Sequence, residues 1–479
     1  MSTRTIEFSP FTRVEGDLRI AVEIEDDRVV SAHTSGTLFR GFENILRGRN
    51  PKDAIVITCR ICGQCGGAHS RTAATALADA YGVVPPPNGY LTANVFQAVE
   101  MMLNHLTHFY TSFAVDFAGP PYENDLSQRF APVKGTSYVA ALRVRKGLLG
   151  ILGIFVGKWP NTLALHPGGT TKPVTASEIF RATGMLTDFR GFVEKQLLRC
   201  PLERWFEISS AEDLDRWLGQ ADHAEGDLGV FIRTALSYGL DRIGAGPGKF
   251  LSSGGWALSE DATWLKPGFF NGKTHQFDSE QISEHVRYSW FEPYEGGRHP
   301  LDGSTEVSSD REGAYSWCKA PRYLGEVAEV GPLARMVNHG ELLALNLLRS
   351  AGPNVYLRVL MRFHEMFKLL EQTRVWFEQI RPEEPFYIKD EPKESGIGVG
   401  LAEAARGCVG HWVRIEKGLI KNYQIVTPTS WNLSPRDSAD NPGPVEDALV
   451  GTPVEEGKRP VNLAHVVRSF DPCLFCSVH

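Results

Sequence analysis

The order of hydrophobic and polar positions near the N-terminus predicts a β-sheet. Apolar residues alternate with polar or small residues over positions 18–24, as in a strand with one buried face. Asp26-Asp27 is suited to a turn, and Val29-Val30 would begin the return strand. The pattern therefore predicts an antiparallel β region over about residues 1–35.

Most of the remaining pattern predicts helices. Residues 92–117 contain neither Pro nor Gly and are apolar on every side, which favours a long buried helix. A short helix would begin at Pro51, because Pro is favoured in a first helical turn. Other helical patterns run over residues 70–81, 332–350, 354–380 and 461–470.

Three further segments lack a helical pattern. Residues 411–415 and 419–426 flank a turn and predict a β-hairpin. Residues 244–325 predict irregular, partly β structure, and residues 432–460 predict a loop. We expect an α+β fold with a large, mainly helical core, the N-terminal antiparallel sheet and additional short hairpins. No linker divides the chain, so one domain is expected over residues 1–479.

Composition and charge narrow the possible partners. The 479 residues are 42% apolar and 22% charged, which is ordinary for a globular protein. The net charge of −7 argues against nucleic acid as a partner. The longest apolar run, residues 147–157, is too short to cross a bilayer, and no secretory signal precedes the first motif. We expect a cytoplasmic protein, or one held at a membrane through its partners.

Eight cysteines include two C-x-x-C pairs, Cys62/Cys65 and Cys473/Cys476, and four scattered residues that are interpreted as buried apolar side chains. Four thiolates form a soft-metal site for zinc, an iron–sulfur cluster, or nickel with iron. Zinc patterns are usually local, whereas these pairs lie about 400 residues apart, and a histidine follows each pair. The sequence therefore predicts that the two chain ends meet at one metal centre.

Both cysteine segments resemble signatures of one enzyme family. Residues 60–69, RICGQCGGAH, are similar to R-x-C-G-x-C-x-x-x-H, and residues 471–479, DPCLFCSVH, to D-P-C-x-x-C-x-x-H. These are signatures of nickel–iron hydrogenase large subunits, which split H2 into protons and electrons or form it. Further similar segments, including the family's R-I/V-E-G, E-A-P-R-G…H-W and P-T/S-x-W-N patterns, lie at residues 12–16, 39–54, 403–412 and 427–432.

The resemblance implies a nickel–iron centre held by Cys62, Cys65, Cys473 and Cys476. Cys65 and Cys476 would bridge nickel to an iron that carries two cyanides and one carbon monoxide. The other two thiolates would bind nickel alone. Thiolate ligands suit soft, redox-active nickel.

The resemblance also assigns residues around this centre. Arg406 would lie over the metals, donating to a cyanide or acting on H2, and Asp471 would fix it. Thr429 would donate a hydrogen bond to the other cyanide. Glu15 would take the proton from a cysteine ligand, Cys473, and His69 would hydrogen-bond the ligand Cys476.

A second ion is implied at the C-terminus. Glu43, His479 and the backbone carbonyl near Ile425 would bind Mg2+ together with several waters. A carboxylate, a carbonyl and waters are what Mg2+ prefers, although an imidazole ligand is less usual for it. Members of the family are trimmed after this histidine, so the chain resembles a trimmed form; a gene that ends at His479 is the alternative.

Several of these residues have ordinary structural alternatives. Glu15 alone would more often be an exposed strand-end charge, Arg406 an ion-pair residue and Thr429 a turn residue. His105 and His108 are three residues apart and could share a helix face like metal ligands. Buried, hydrogen-bonded core histidines are the favoured interpretation of that pair.

The sequence departs from the family pattern at three positions. Asn104 stands where the family usually has Asp near Arg406, Ala405 stands in place of the usual Pro, and Gln64 in place of a small apolar residue. The first departure removes a negative charge near Arg406, the second allows more backbone freedom, and the third adds polarity between the first two cysteines. The four cysteine positions are intact.

The resemblance implies heterolytic cleavage of H2, with the proton passing to a thiolate or Arg406 and leaving through Glu15. Electrons would leave through iron–sulfur clusters in a small subunit, joined over a large interface, and a higher oligomer of this heterodimer is expected. H2 uptake is the favoured direction. A hydrogen sensor would keep the same metal site with little turnover. A third alternative is a structural zinc or quinone-site protein related to respiratory complex I. That relative lacks the cysteine ligands, so the four cysteines present here argue against it.

Overall fold

The computed structural model describes residues 3–122, 124–455 and 460–479. Its described α-helices are α1 (Phe42–Leu46), α2 (Asp53–Thr58), α3 (Gly66–Tyr81), α4 (Pro87–Thr107), α5 (Asn124–Phe130), α6 (Thr136–Val156), α7 (Ala176–Phe192), α8 (Leu202–Phe206), α9 (Ala211–Leu218), α10 (Asp227–Ser237), α11 (Pro332–His339), α12 (Leu342–Ala351), α13 (Val355–Gln379), α14 (Pro428–Asn432), α15 (Pro444–Leu449), α16 (Val461–Ser469) and α17 (Leu474–Ser477). Its described strands are β1 (Arg4–Phe8), β2 (Leu18–Glu25), β3 (Arg28–Gly36), β4 (Leu165–His166), β5 (Gly169–Thr170), β6 (Phe250–Ser252), β7 (Gly255–Ala257), β8 (Thr263–Leu265), β9 (Gly268–Phe270), β10 (Thr274–His275), β11 (Ile282–His285), β12 (Ala320–Tyr323), β13 (Gly396–Ala404), β14 (Gly407–Glu416) and β15 (Leu419–Val426). The predicted α+β class is confirmed.

The N-terminal sheet is antiparallel and has the strand order β1-β2-β3. The apolar residues of β2 are buried, and the residues between them are exposed or half-buried. Asp26 and Asp27 have positive φ angles of 47° and 56°, as a tight hairpin turn requires. The predicted antiparallel region is confirmed from residue 4 onward, with β1 as a strand that the pattern did not single out. Residues 1 and 2 of that prediction lie outside the described residues.

Long helices form the centre of the core, where α4 packs against α6 and α13. After Thr107, α4 continues as a π-helix (His108–Phe113) and a 3-10 turn (Ala114–Ala118), so the helix predicted over residues 92–117 is confirmed with a change of winding. The helix α13 begins where the Asn354 side chain accepts a hydrogen bond from the Leu357 N–H at 2.8 Å. The helix predicted over residues 354–380 is likewise confirmed.

Two helices differ from the sequence pattern. The single helix predicted over residues 332–350 is divided into α11 and α12, because Gly340 adopts a left-handed φ of 91° and ends α11. The apolar run 147–157 belongs to the longer helix α6. The full length of this helix was not predicted, because charged residues interrupt the apolar pattern in its first half.

Among the described helices, none is both long and apolar enough to cross a membrane. The loop predicted over residues 432–460 contains the short α15, and its residues 456–459 lie outside the described residues.

A second three-stranded sheet has the order β13-β14-β15 and supports the functional site. The hairpin β14–β15 was predicted, whereas β13 was not, because glycines interrupt its hydrophobic pattern. These glycines lie against α3: a methyl group at Gly398 or Gly400 would overlap backbone atoms of that helix. The helix that begins after Cys65 therefore rests directly on the strand that ends at Ala404.

The two ends of the chain pair with each other inside the structure. Glu15 forms a parallel bridge with Cys473, and the Leu474 N–H donates to the Glu15 carbonyl at 2.7 Å. The Glu15 N–H donates to the Pro472 carbonyl at 3.3 Å. The segments of Glu15 and Cys473 are thus adjacent in the core, and the single domain over residues 1–479 stays a prediction.

Replacing Gly400 by Ala should destabilise the protein by about 1–3 kcal/mol, since the new methyl group meets the backbone of α3. The control is Gly184→Ala on the exposed side of α7, where the added methyl group meets no atom; we expect it to be neutral or stabilising by up to about 1 kcal/mol. Thermal unfolding of both variants measures the difference. Equal unfolding midpoints would show that α3 and β13 are not tightly packed.

Candidate metal centre

Four cysteine sulfurs lie together in the interior. The Sγ atoms of Cys62 and Cys473 are 3.4 Å apart, and those of Cys65 and Cys476 are 3.2 Å apart. All four sulfurs lie within 4.8 Å of one another, and each residue is at most 5% exposed. The cysteines are unbonded to each other. Four free thiols at this spacing form a preformed site for a soft metal.

Short helical segments aim the sulfurs at one point. Cys65 is the residue before the first turn of α3, and Cys62 follows α2 after one turn. Cys473 stands before α17, and Cys476 lies within it. The two-residue spacing in each pair brings both sulfurs to the same side of the local backbone. The predicted convergence of the two C-x-x-C pairs is confirmed.

Arg40 ties the two cysteine segments together. Its guanidinium donates to the Ile61 carbonyl at 2.6 Å and to the Phe475 carbonyl. It also lies over the rings of Phe42 and Phe475, at 4.8 and 5.2 Å from their centroids. Sequence analysis gave Arg40 no role, although it lies in the segment 39–54 that carries the family resemblance.

A buried guanidinium lies at the tip of the β13–β14 hairpin. Arg406 is 3% exposed; its Nε donates to the Asp471 carbonyl oxygen at 2.7 Å, and its Nη2 donates to Asp471 Oδ1 at 3.1 Å. Burial opposes the charge, but Asp471 and the neighbouring cysteines raise the pKa of Arg406 well above its ordinary value. The site therefore holds a permanently charged donor, and the predicted proximity of Asp471 to Arg406 is observed.

Gln64 connects this guanidinium to Glu15. Its Oε1 accepts from Arg406 Nη2 at 2.7 Å, and its Nε2 donates to Glu15 Oε1 at 2.5 Å. The amide orientation is fixed, because a guanidinium only donates and a carboxylate only accepts. Asn104 lies beside it and, with its nitrogen turned toward Asp471, donates to Oδ2 at 2.9 Å. Sequence analysis noted Gln64 and Asn104 as departures but not that they extend one hydrogen-bonded chain.

The end of the chain is held by a buried carboxylate. His479 contacts the Cys476 carbonyl through Nδ1, and its Nε2 lies 3.4 Å from Glu43 Oε1. Glu43 also accepts from the Ile425 N–H at 2.8 Å and from Lys319 Nζ at 3.3 Å. Burial disfavours its charge, but Lys319 and His479 outweigh burial and lower the pKa of Glu43 to about 2. Ile425 thus contributes its N–H to Glu43; the predicted role of a carbonyl near Ile425 stays a prediction.

A second carboxylate faces the same small space. Glu284 Oε2 lies 3.7 Å from Lys319 Nζ, and Lys319 donates to Gln424 Oε1 at 2.7 Å. Burial raises the pKa of Glu284 despite the nearby ammonium. Two carboxylates, an amide oxygen and an imidazole are donors that a hard divalent ion can use. The residues present therefore fit such an ion, with Lys319 already balancing part of their charge.

Comparison with known proteins agrees with this geometry. The model of the nickel-dependent hydrogenase family matches residues 40–121 and 230–479. The large subunit of a periplasmic NiFeSe hydrogenase from Desulfomicrobium baculatum is 33% identical over 516 residues, covering 99% of this chain and 94% of that one. The chain belongs to the nickel-dependent hydrogenase family.

Two further comparisons extend this result. An uptake hydrogenase large subunit from Rhodobacter capsulatus is 30% identical over 585 residues, covering 99% of this chain and 95% of that one. The structure of the Ni-Fe-Se hydrogenase from D. vulgaris Hildenborough superimposes with a TM-score of 0.86 at 32% identity, covering 100% of each chain. This protein is thus a hydrogenase large subunit, an oxidoreductase acting on H2. In this chain the four clustered positions that could hold a metal are all cysteines.

The remaining predicted residues of the hydrogenase centre are also close to it. Thr429 Oγ1 accepts from the Cys473 N–H at 3.0 Å. His69 Nδ1 lies 3.1 Å from His411 Nε2, and His411 Nδ1 lies 2.9 Å from the Tyr423 hydroxyl. The hydrogen bond expected between His69 and a cysteine sulfur stays a prediction.

His105 and His108 belong to the hydrogen-bonded core. His105 Nε2 lies 2.8 Å from Glu365 Oε2, and His108 Nε2 lies 2.6 Å from the Arg468 carbonyl oxygen. Both rings are buried. The favoured interpretation of these two histidines as core residues is confirmed.

A buried carboxylate that sequence analysis missed supports the first turn of α3. Glu100, in α4, accepts from the N–H groups of Gly67 and Ala68, both at 3.0 Å, and from Trp159 Nε1 at 2.7 Å. The free N–H groups at the start of α3 favour an acceptor at this position, although burial outweighs them and raises the pKa of Glu100 to about 7. Since α3 begins directly after Cys65, Glu100 helps to fix the direction of that ligand.

Replacing Glu100 by Ala should destabilise the hydrogenase by about 1–3 kcal/mol, because buried donors lose their acceptor. Nickel per chain should also fall, because Cys65 loses its support. The control Glu378→Ala removes a side chain that is 64% exposed and pairs with Arg374, and it should change stability by less than about 0.5 kcal/mol. Unfolding midpoints and metal analysis test both variants. Full nickel loading at unchanged stability would contradict this role of Glu100.

Proposed function

We propose that this subunit holds a nickel–iron centre with two cyanides and one carbon monoxide, and that it cleaves H2 heterolytically in the direction of uptake. The observation that carries the proposal is the group of four buried thiols within 4.8 Å beside a buried guanidinium. In the proposed centre, the thiolates of Cys62, Cys65, Cys473 and Cys476 would hold the metals. When bound, the centre binds and polarises H2.

The residues around the thiols are suited to orient ligands and to exclude water. Arg406 is proposed to donate to one cyanide or to act directly on H2, and its salt bridge to Asp471 limits its motion. Thr429 already accepts from the Cys473 N–H through Oγ1, so its hydroxyl proton is available for the second cyanide. Donors fixed in advance in a dry site stabilise developing charge with little rearrangement.

Glu15 is proposed to receive the proton from Cys473. The backbones of these two residues are bridged, and Gln64 holds the Glu15 carboxylate in place. Burial raises the pKa of Glu15, against the opposing charge of Arg406. A carboxylate with a raised pKa takes up a proton more readily near neutral pH.

A divalent ion, Mg2+, is proposed at Glu43 and His479, with the carbonyl near Ile425 and waters as further ligands. The ionised state of Glu43 and the 3.4 Å approach of His479 support this assignment. Glu284 would then keep Lys319 as its counter-charge. The ion would tie the end of the chain, and with it the segment of Cys476, to α1.

The relatives are named as large subunits or large chains, and we infer from these names that a small subunit accompanies this chain. H2 oxidation releases two electrons, which iron–sulfur clusters carry one at a time; we assign these clusters to the small subunit. A higher oligomer of the heterodimer and a cytoplasmic or membrane-peripheral location belong to the same proposal. A hydrogen sensor with this site is not favoured, because the relatives are named as periplasmic or uptake hydrogenases.

Replacing Cys476 by Ser should abolish assembly of the centre, because a hydroxyl is a poor ligand for a soft metal. The control is Cys408→Ser, which changes a buried cysteine outside the group of four. Nickel, iron, zinc and magnesium are counted in the anaerobically purified heterodimer. We expect about one nickel per large subunit in the control and none in Cys476→Ser. Zinc without nickel in the unmodified protein, from cells able to mature the site, would refute the proposed centre.

Replacing Glu15 by Gln should lower H2 oxidation about 100-fold, because the amide keeps the hydrogen bond from Gln64 but cannot take up the proton. Conversion of para-hydrogen to ortho-hydrogen, which needs the metal centre but no proton exit, should persist at unchanged nickel content. Glu23→Gln on β2 is the control and should turn over normally. Normal turnover in Glu15→Gln would move the proton exit elsewhere.

A further inference from the structure

A second arginine lies behind the turn that carries Arg406. Arg335, in α11, is fully buried. Its Nη1 donates to the Ala404 carbonyl at 2.9 Å, and its Nη2 donates to the Ala405 carbonyl at 3.2 Å. These carbonyls belong to the two residues that precede Arg406. The planar guanidinium of Arg335 therefore holds both residues that precede Arg406, whose side chain is proposed to lie over the metal centre.

Two carboxylates hold Arg335 in turn. Glu365 accepts from Nε at 2.5 Å and from Nη2 at 2.6 Å, and Glu403 accepts from Nη1 at 2.8 Å. Together with the two carbonyls, these contacts use all five N–H groups of the guanidinium. Glu365 also lies 2.8 Å from His105 Nε2, and Glu403 accepts from the Ser253 N–H at 2.8 Å. Arg335, Glu365 and Glu403 thus form a clamp on the turn, and buried partners hold this clamp on both sides.

The turn itself has little local stiffness. Pairing between β13 and β14 ends at Ala404 and Gly407, which leaves Ala405 and Arg406 as the turn residues. Ala405 has neither a ring that fixes φ nor a side chain that could hydrogen-bond the turn. Gly407 has a φ of 134°, a conformation open to glycine and rare for other residues. Beyond the pairing of Ala404 with Gly407, the restraint on this turn therefore comes from tertiary contacts.

We propose that Arg335 is a positioning residue for H2 cleavage: by holding the carbonyls of Ala404 and Ala405, it sets the direction from which Arg406 approaches the metal centre. The inference rests on the proposed role of Arg406. A lysine at 335 would keep the positive charge, but a single ammonium cannot hold two carbonyls and two carboxylates in one plane. Charge and geometry can therefore be separated by substitution.

The test uses the nickel-loaded heterodimer and has two readouts, turnover and amide hydrogen exchange at residues 405–407. Exchange should quicken in Arg335→Lys and slow again when Ala405→Pro is added, because both changes act on the order of this turn. In Arg335→Lys, kcat for H2 oxidation per nickel should fall about 10-fold or more, since small misplacements of a reacting group are costly. The KM for H2 should change less than about threefold, because the lost interaction acts during the reaction. Adding Ala405→Pro, whose ring restrains φ at the turn, should restore most of the lost kcat, while Ala405→Pro alone should stay near the unmodified rate.

Arg322→Lys is the matched control. Arg322 is equally buried, donates to Asp437 Oδ2 at 2.7 Å and holds the Pro321 carbonyl at 2.8 Å, away from the turn of Arg406. This variant should lose stability without losing kcat per nickel. If Arg335→Lys forms no nickel-loaded heterodimer, Glu365→Gln replaces it, because it weakens the same clamp at nearly constant volume; restoration by Ala405→Pro is then required of that variant.

Three results would overturn the inference and make Arg335 a stability residue. They are an unchanged kcat in the clamp variant, a loss of kcat that Ala405→Pro leaves unrestored, and an equal loss of kcat in Arg322→Lys. Arg406→Lys distinguishes a failure of the role proposed for Arg406 from a failure of the role proposed for Arg335. Full activity in Arg406→Lys overturns the proposed role of Arg406 and the inference with it. A loss in Arg406→Lys beside a normal Arg335→Lys overturns the inference alone.

Discussion

The metal centre depends on the backbone pairing between the segment after β1 and the last residues of the chain. The bridge between Glu15 and Cys473 fixes the second cysteine pair in the core, where it meets the first pair, although about 400 residues separate the two pairs along the chain. The entropy cost of closing a loop rises only slowly with its length, so such a separation is thermodynamically acceptable. What it requires is a folded body that holds both ends, and the core of α4, α6 and α13 together with the two larger sheets supplies it.

Charge around the centre is buried in matched groups. Arg406 faces Asp471, Lys319 faces Glu43 and Glu284, and other buried arginines farther out are paired with carboxylates in the same way. Taking such charges out of water is costly, and an ion pair in the interior often adds no net stability over apolar packing. The ion pairs here fix geometry, because each pair sets the direction of a hydrogen-bond donor near the four thiols. The centre is therefore surrounded by buried charged groups whose directions are fixed by their ion pairs.

The sequence predicted the parts of the fold that have a local signal. The alternation in β2, the helical pattern over residues 354–380 and the two C-x-x-C pairs can each be recognised locally in the sequence. Strand β13 escaped prediction, because its glycines are explained only by the backbone of α3, more than 300 residues earlier. The roles of Arg40 and Glu100 were not predicted for the same reason, since their partners are backbone groups of other segments. Local patterns specify elements and ligands, whereas the supports of the ligands are set by tertiary structure.

The departures from the family pattern lie close together rather than scattered over the surface. Gln64 and Asn104 both lie beside Arg406, and Ala405 precedes it. An amide at position 104 in place of a carboxylate leaves Asp471 as the carboxylate that pairs with Arg406, while Gln64 adds a neutral link to Glu15. The guanidinium is consequently less neutralised than it would be between two carboxylates. The three positions thus differ from the family pattern in the charge and hydrogen bonding around Arg406, while the four cysteines are intact.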